Sequence, residues 1–172
     1  MRDFSYSYNE PLTRLYFSHQ AYNDYPVVGV SWKQAIAFTH WRTNNSDYFA
    51  GKPGRGDYLG GNPGNDNIQT TKIKSYTEND FGLFDMAGNV AEWTSSAYYE
   101  GSANFIGDFN PDIQYFASDS DPILKKRKVI RGGSWKDIAY NVQVSTRNYD
   151  YQDTAKSYIG FRCVLSKAPR IN

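Results

Sequence analysis

The chain has one cysteine, two histidines and no long apolar run, and each scarcity removes a class of protein. Cys163 stands alone, so no intrachain disulfide can form, and the thiol count says nothing about compartment. His19 and His40 are far apart, and neither has a Cys or another His at ligand spacing, which argues against zinc. No stretch of about 18 apolar residues occurs, so nothing reads as a membrane-spanning helix. A Gly-x-Ser-x-Gly nucleophile elbow is missing, which argues against hydrolase chemistry of that kind. Internal repeats and low-complexity tracts are missing too. Charge of one sign is nearly absent in excess: 19 basic and 18 acidic residues leave +1, too little to draw the chain to nucleic acid or a membrane. Met1-Arg2-Asp3-Phe4-Ser5-Tyr6 has neither a signal-peptide nor a lipid-attachment pattern, features that processing or truncation would remove in any case.

Aromatic residues, by contrast, are abundant. The 172 residues include 15 Tyr, 10 Phe and 4 Trp, while mean hydropathy is −0.70. That length suits one domain with a substantial core. Rings must supply much of its buried area, with hydroxyl and indole groups that need partners. That composition argues for an irregular, loop-rich domain rather than a helical bundle, and the helix and strand candidates below make it a mixed α+β domain with much coil. Residues 1–25 read as an extended arm packed on the domain, 26–166 as the domain, and 167–172 as a tail. Pro26 opens Val27-Val28-Gly29-Val30, a short strand candidate. Ser31 and Gln34 form a capping box for a helix to about Arg42, with Trp32, Ala35, Ile36 and Thr39 on one face and Phe38 and Trp41 alongside. Glycine and proline make 44–67 a long loop, 68–80 looks extended, and 94–128 is strand-poor. Residues 129–135 and 158–166 read as strands. In the second, Ile159, Phe161, Cys163 and Leu165 alternate onto one face, which makes Cys163 a buried, inert thiol.

The densest chemistry lies in Phe81-Gly82-Leu83-Phe84-Asp85-Met86-Ala87-Gly88-Asn89-Val90-Ala91-Glu92-Trp93. Asp85 and Glu92 bracket a Gly-Asn turn that can aim several oxygens at one point, as a hard cation requires. A calcium site would use these two carboxylates and backbone carbonyls at Gly88 and Val90. The competing reading is a turn whose acids only cap backbone amides, and residue types alone do not separate the two. Gly54-Arg55-Gly56-Asp57-Tyr58-Leu59-Gly60 has the wrong spacing for a dinucleotide fingerprint. Its Arg55-Gly56-Asp57 tripeptide carries little information. The basic run Lys125-Lys126-Arg127-Lys128 reads as a solvated turn, partly neutralised by Asp119 and Asp121, rather than a nucleic-acid contact.

Two further motifs, Arg131-Gly132-Gly133-Ser134-Trp135 and Gly160-Phe161-Arg162-Cys163, join the Gly-Asn turn. Together with blocks 26–41, 79–95, 129–135 and 157–164, they resemble the formylglycine-generating-enzyme, or sulfatase-modifying, family. The resemblance implies a C-type-lectin-like α+β fold. It also implies a structural calcium held by the side chains of Asp85 and Glu92 and the carbonyls of Gly88 and Val90. A second family calcium site would fall near Asp66 and Ile68, where the match is poor. Active members carry two copper-binding cysteines after the Gly-Gly-Ser-aromatic motif and oxidise a substrate cysteine. Here those positions are Asp137 and Val142, which cannot supply thiolates to Cu(I), and Cys163 matches a different position. No catalytic residue carries over, so neither enzyme activity nor copper is expected.

The usual family block is also missing between Arg42 and Ser46, as if a segment were omitted. Segments 2–12, 109–111 and 126–137 look most like the gliding-motility lipoproteins of the type IX secretion system, the GldK/PorK group, with the GldJ group as rival. That resemblance implies a non-catalytic, periplasmic, outer-membrane-associated ring component. Its partners would be further copies of itself and a second ring protein, with membrane contact only through an N-terminal lipid upstream of this chain. An active oxidase and a carbohydrate-binding, lectin-like module are the competing readings.

Overall fold

A computed structural model describes residues 15–44, 70–100 and 113–164. The glycine-rich loop, Asp66, Ile68, the residues around Ser46 and the C-terminal tail lie outside the described residues. The helix α1, Trp32–Asn44, starts at the expected capping box. Ser31 Oγ accepts the Gln34 amide at 3.3 Å, and Gln34 Oε1 accepts the Ser31 amide at 2.9 Å. Trp32 and Ala35 are buried, and Ile36 packs beside them. Phe38 and Trp41 remain largely exposed, although Phe38 meets the Phe161 ring at 5.6 Å.

Among the described residues, four strands form one sheet in the order β3-β2-β1-β4. They are β1 (Ala91–Ala97), β2 (Arg127–Arg131), β3 (Asn148–Tyr151) and β4 (Ile159–Gly160). β2 lies antiparallel to β1 and β3, while β4 runs parallel to β1. Alternation puts Ala91, Trp93 and Ala97 of β1 inward, where α1 packs through Trp32. The core is Trp32, Ala35, Ala91, Trp93, Ile130 and Ile159. Its two indoles do not waste their donors. Trp32 Nε1 reaches the Thr94 carbonyl at 2.8 Å, and Trp93 Nε1 reaches that of Val30 at 3.0 Å.

Several elements depart from expectation. Val27–Val30 forms no ladder strand. Val30 gives its carbonyl to Trp93, and Val27 O crowds Gly160, where an added Cβ would lie 2.3 Å away. The strand expected at 129–135 starts two residues earlier and stops at Arg131, because Gly132 and Gly133 turn the chain with positive φ. The strand expected at 158–166 is only Ile159–Gly160, and Cys163 is half-buried rather than buried. β1 runs into the expected strand-poor stretch, and β3, Asn-Tyr-Asp-Tyr, carries too little aliphatic pattern to announce itself. The segment expected to be extended at 68–80 is irregular over its described part, with Lys74 at φ +60°. Residues 15–25 form turns and a short 3-10 helix, Gln20–Tyr22, rather than an extended arm. His19 caps it, and Tyr16, Tyr22 and Tyr25 stack around it.

The basic run is not a solvated turn throughout, because β2 begins within it. Arg127 is buried, its guanidinium lies within reach of the faces of the packed Tyr98 and Tyr149 rings, and it pairs with Glu100 at 2.7 Å. Lys128 is fully buried. Its ammonium lies 4.0 Å from the centre of the Trp32 ring and donates to the Tyr115 carbonyl. Gln152 donates to the Ala117 carbonyl at 2.8 Å. Two buried side chains thus anchor the 115–117 segment, whose backbone is in no strand. Lys33 of α1 adds ion pairs to Asp119 and Asp153 at 2.8 and 2.7 Å.

Burial lowers the Lys128 ammonium from 10.5 to about 8. Between those values the unfolded chain binds more protons than the folded one, so this residue makes stability rise with pH across that window. Lys128→Met removes that contribution. Urea midpoints at about pH 7.5 and about pH 10 should show wild type gaining relative to the variant as pH rises. Parallel midpoints would show that the ammonium is not desolvated.

Candidate functional site

The three sequence motifs, distant along the chain, meet at one end of β1. The Gly-Asn turn docks on the Gly-Gly motif through two backbone bonds. Gly88 N donates to Gly132 O at 2.8 Å, and Trp135 N donates to Asn89 O at 2.9 Å. Asn89 sits at φ +62° and Gly88 at φ +86°, the left-handed conformations that Asn and Gly tolerate best. The fit leaves no room at Gly132, where an added Cβ would stand 3.1 Å from Met86 O. Asn89 is buried and holds the incoming segment through both faces of its amide. It accepts from Thr71 N at 3.0 Å and donates to Thr71 O at 3.2 Å. No motif in the sequence pointed to Thr71.

The third motif supplies Arg162. Its Nε donates to Glu92 Oε2 at 2.6 Å and its Nη2 to Oε1 at 2.5 Å, a parallel, two-pronged ion pair. The same guanidinium donates to Phe84 O at 3.0 Å and Asp85 O at 3.2 Å. It therefore clasps both ends of the segment that bears the turn. Hydrogen bonding to Glu92 raises the Arg162 pKa, against the opposing effect of burial. Sequence reasoning treated Arg162 as a family marker and missed this role. No sequence signal tied it to Glu92; only the pairing of β4 with β1 in the register Glu92↔Gly160 brings the arginine, two residues on, to that carboxylate.

All four residues expected to bind calcium come together. Asp85, Gly88, Val90 and Glu92 line one cavity of about 450 Å³, with Arg162 and Cys163 on its wall. Asp85, at φ +52°, accepts the Lys74 amide and the Tyr76 amide, the latter at 3.1 Å. Both carboxylates thus have protein partners, and among the described residues no group of three or more His, Cys, Asp and Glu gathers. The donor set is nonetheless all oxygen, and each carboxylate oxygen has a second lone pair, which suits a hard cation. An ion at Glu92 would share that carboxylate with a fixed positive charge.

Asp137 and Val142 pack around the Gly-Gly turn, and Val142 Cγ1 would lie 3.7 Å from a Cβ added at Gly88. Asp137 Oδ2 accepts from Ser134 N at 2.9 Å and from Ser134 Oγ at 2.6 Å, closing a small turn. The backbone of Asn141 and Val142 comes so close that an added Cβ on Gly133 would be 2.7 Å from both Asn141 O and Val142 Cα. Here a carboxylate and an alkyl group serve local packing. A cavity of about 110 Å³ lies beside them, lined by Lys136, Asp137, Asp150 and Tyr158.

This geometry accords with what the chain is similar to. Residues 46–167 match the sulfatase-modifying factor enzyme 1-like domain, and the chain belongs to that family. It is 29% identical to the Bos taurus protein named inactive C-alpha-formylglycine-generating enzyme 2, over 81% of this chain and 50% of that one. It is 25% identical to the Mus musculus formylglycine-generating enzyme, over 86% of this chain and 46% of the relative. The chain thus spans about half the length of these curated relatives. Among solved structures, PvdO from Pseudomonas aeruginosa shares the fold, with a TM-score of 0.57 at 18% identity, covering 80% of this chain and 60% of PvdO. The mixed helix and sheet architecture is therefore that of the sulfatase-modifying family. Relatives include both a protein named inactive and one named as the enzyme, so kinship alone leaves activity undecided. No described helix is long and apolar enough to cross a membrane.

Asn89→Ala should cost about 1–3 kcal/mol, because it strips both partners from the Thr71 backbone and places a Cβ-branchless but non-Gly residue at positive φ without Asn's local bonding. Chemical denaturation of the variant checks this. A loss below a few tenths of a kcal/mol would mean that the 70–76 segment is not tied through Asn89.

Proposed function

We propose that this protein is a non-catalytic structural component built on a sulfatase-modifying domain. The observation that carries this reading is the state of the two family cysteine positions. Asp137 is spent on Ser134, and Val142 packs against the Gly-Gly turn. Neither residue offers a soft ligand to Cu(I), and Cys163 lies instead on the cavity of the Gly-Asn turn. The similarity to a protein named inactive supports the same view.

The domain then works by shape and by contact. Exposed rings and aliphatics at Phe81, Phe116, Leu124, Ile138 and Tyr140 suit interfaces, where one ring brings area and often a hydrogen bond at low entropic cost. The sequence blocks at 2–12, 109–111 and 126–137 favour a periplasmic, outer-membrane-associated ring of the type IX secretion and gliding-motility machinery. In that setting the partners are other copies of the chain and a second ring protein, and the membrane link is a lipid upstream. Calcium, bound by Asp85 and Glu92 side chains and Gly88 and Val90 carbonyls, would supply structural cross-linking of the Gly-Asn turn.

Two experiments test the reading. Incubation with a cysteine-containing peptide, copper and oxygen should leave the peptide mass unchanged; conversion to formylglycine would overturn it. Low-magnification imaging of the protein purified from cell envelopes should show ring-shaped particles, whereas monomers alone would remove the assembly role. For calcium, chelation should lower the melting temperature and calcium should restore it. A ligand bound only by the native state contributes about 2.7 kcal/mol at a hundredfold excess over its dissociation constant. An unchanged melt would remove calcium from the reading.

A further inference from the structure

Glu92 has one carboxylate and two suitors. We propose that Arg162 is a built-in counter-ion for Glu92, and that a divalent cation at the Gly-Asn turn binds in competition with it. The inference rests on the calcium reading above and adds a residue that sets the ion's affinity. Arg162 reaches Glu92 through two parallel bonds of 2.6 and 2.5 Å, and Phe84 O and Asp85 O through two more of 3.0 and 3.2 Å. It thus spans from strand β1 to the start of the turn, the same span an ion bound by Asp85 and Glu92 would bridge. Without an ion, the guanidinium already balances the Glu92 charge and holds the turn's ends together.

Other charges nearby do not replace it. The Asp85 carboxylate is occupied by the amides of Lys74 and Tyr76, and the Lys74 ammonium lies over the Phe84 ring at 5.2 Å. Arg131 pairs across the ladder with Glu92 in register, yet its guanidinium donates away from the turn, to Ser145 O at 3.0 Å. Two cations sharing one carboxylate repel each other, so the ion must either displace Arg162 or bind weakly beside it. The expected behaviour is a fold that survives chelation because an arginine keeps the turn closed, with calcium affinity held below what the oxygen set alone would give.

The test compares wild type with Arg162→Gln by calcium titration in a calorimeter and by melting in chelator. The variant should melt lower than wild type in chelator, bind calcium about tenfold or more tightly, and regain part of its melting temperature when calcium is added. Calcium binding by the variant alone would show that the arginine blocks the ion outright, which supports the competition but removes calcium from the wild-type reading above. Equal affinities in both proteins overturn the competition while leaving the calcium reading intact. Binding by neither overturns the calcium reading, and the competition with it. If Arg162→Gln fails to fold, Arg162→Lys keeps the charge but not the two parallel bonds. It should bind calcium more tightly than wild type, and weaker binding would overturn the proposal.

Discussion

The contact between Arg162 and Glu92 is the constraint on which the rest of the site depends. It joins the last described segment of the chain to β1, and through Phe84 O and Asp85 O it fixes the approach to the Gly-Asn turn. Both partners are substantially withdrawn from solvent, and the paired geometry satisfies three faces of the guanidinium at once. Breaking such a pair from one side leaves a poorly solvated charge behind, which is more costly than never having made it. The turn then presents Gly88 N to Gly132 O and Asn89 O to Trp135 N, which ties the Gly-Gly motif to it just past the end of β2.

A second theme is the use of polar side chains where ladders run out. The sheet is short: β4 has two residues and β3 four. Segment 115–117 gains its anchorage from Lys128 and Gln152, and the turn beside it from Lys33 and Lys126. Each donor reaches a backbone carbonyl or a carboxylate that would otherwise need a strand neighbour or water. The cost is a desolvated lysine in the core, partly offset by the face of Trp32. A domain rich in rings and poor in aliphatics can accept this arrangement, because aromatic faces tolerate a cation that a leucine core would reject.

Positions 137 and 142 are both built into the local packing around the Gly-Gly turn. Asp137 completes a turn with Ser134, and the chain at Asn141 and Val142 closes against Gly133. Gly132 and Gly133 both adopt positive φ; a Cβ on Gly133 would collide with the Asn141–Val142 backbone, and one on Gly132 would crowd Met86 O.

Much of this was legible in the linear chain. The capping box of Ser31 and Gln34 depends on residues three apart, and local chemistry is sufficient to specify it. The motif residues were legible as well, since Gly, Asn and Gly-Gly mark backbone shapes that few other residues allow. The mixed α+β class followed from the helix and strand candidates along the chain. Strand lengths did not, because the alternation of Ile159, Phe161 and Cys163 describes a face without saying whether a neighbour exists to pair with it. Nor did the fate of the basic run: four consecutive cations look solvated until β2 begins at Arg127 and carries two of them inside. The partners of Asp85 and Glu92 were beyond the sequence for the same reason. Amides at 74 and 76 and a guanidinium at 162 reach them only after the chain has folded back, and long-range approach of this kind is a property of packing, not of spacing.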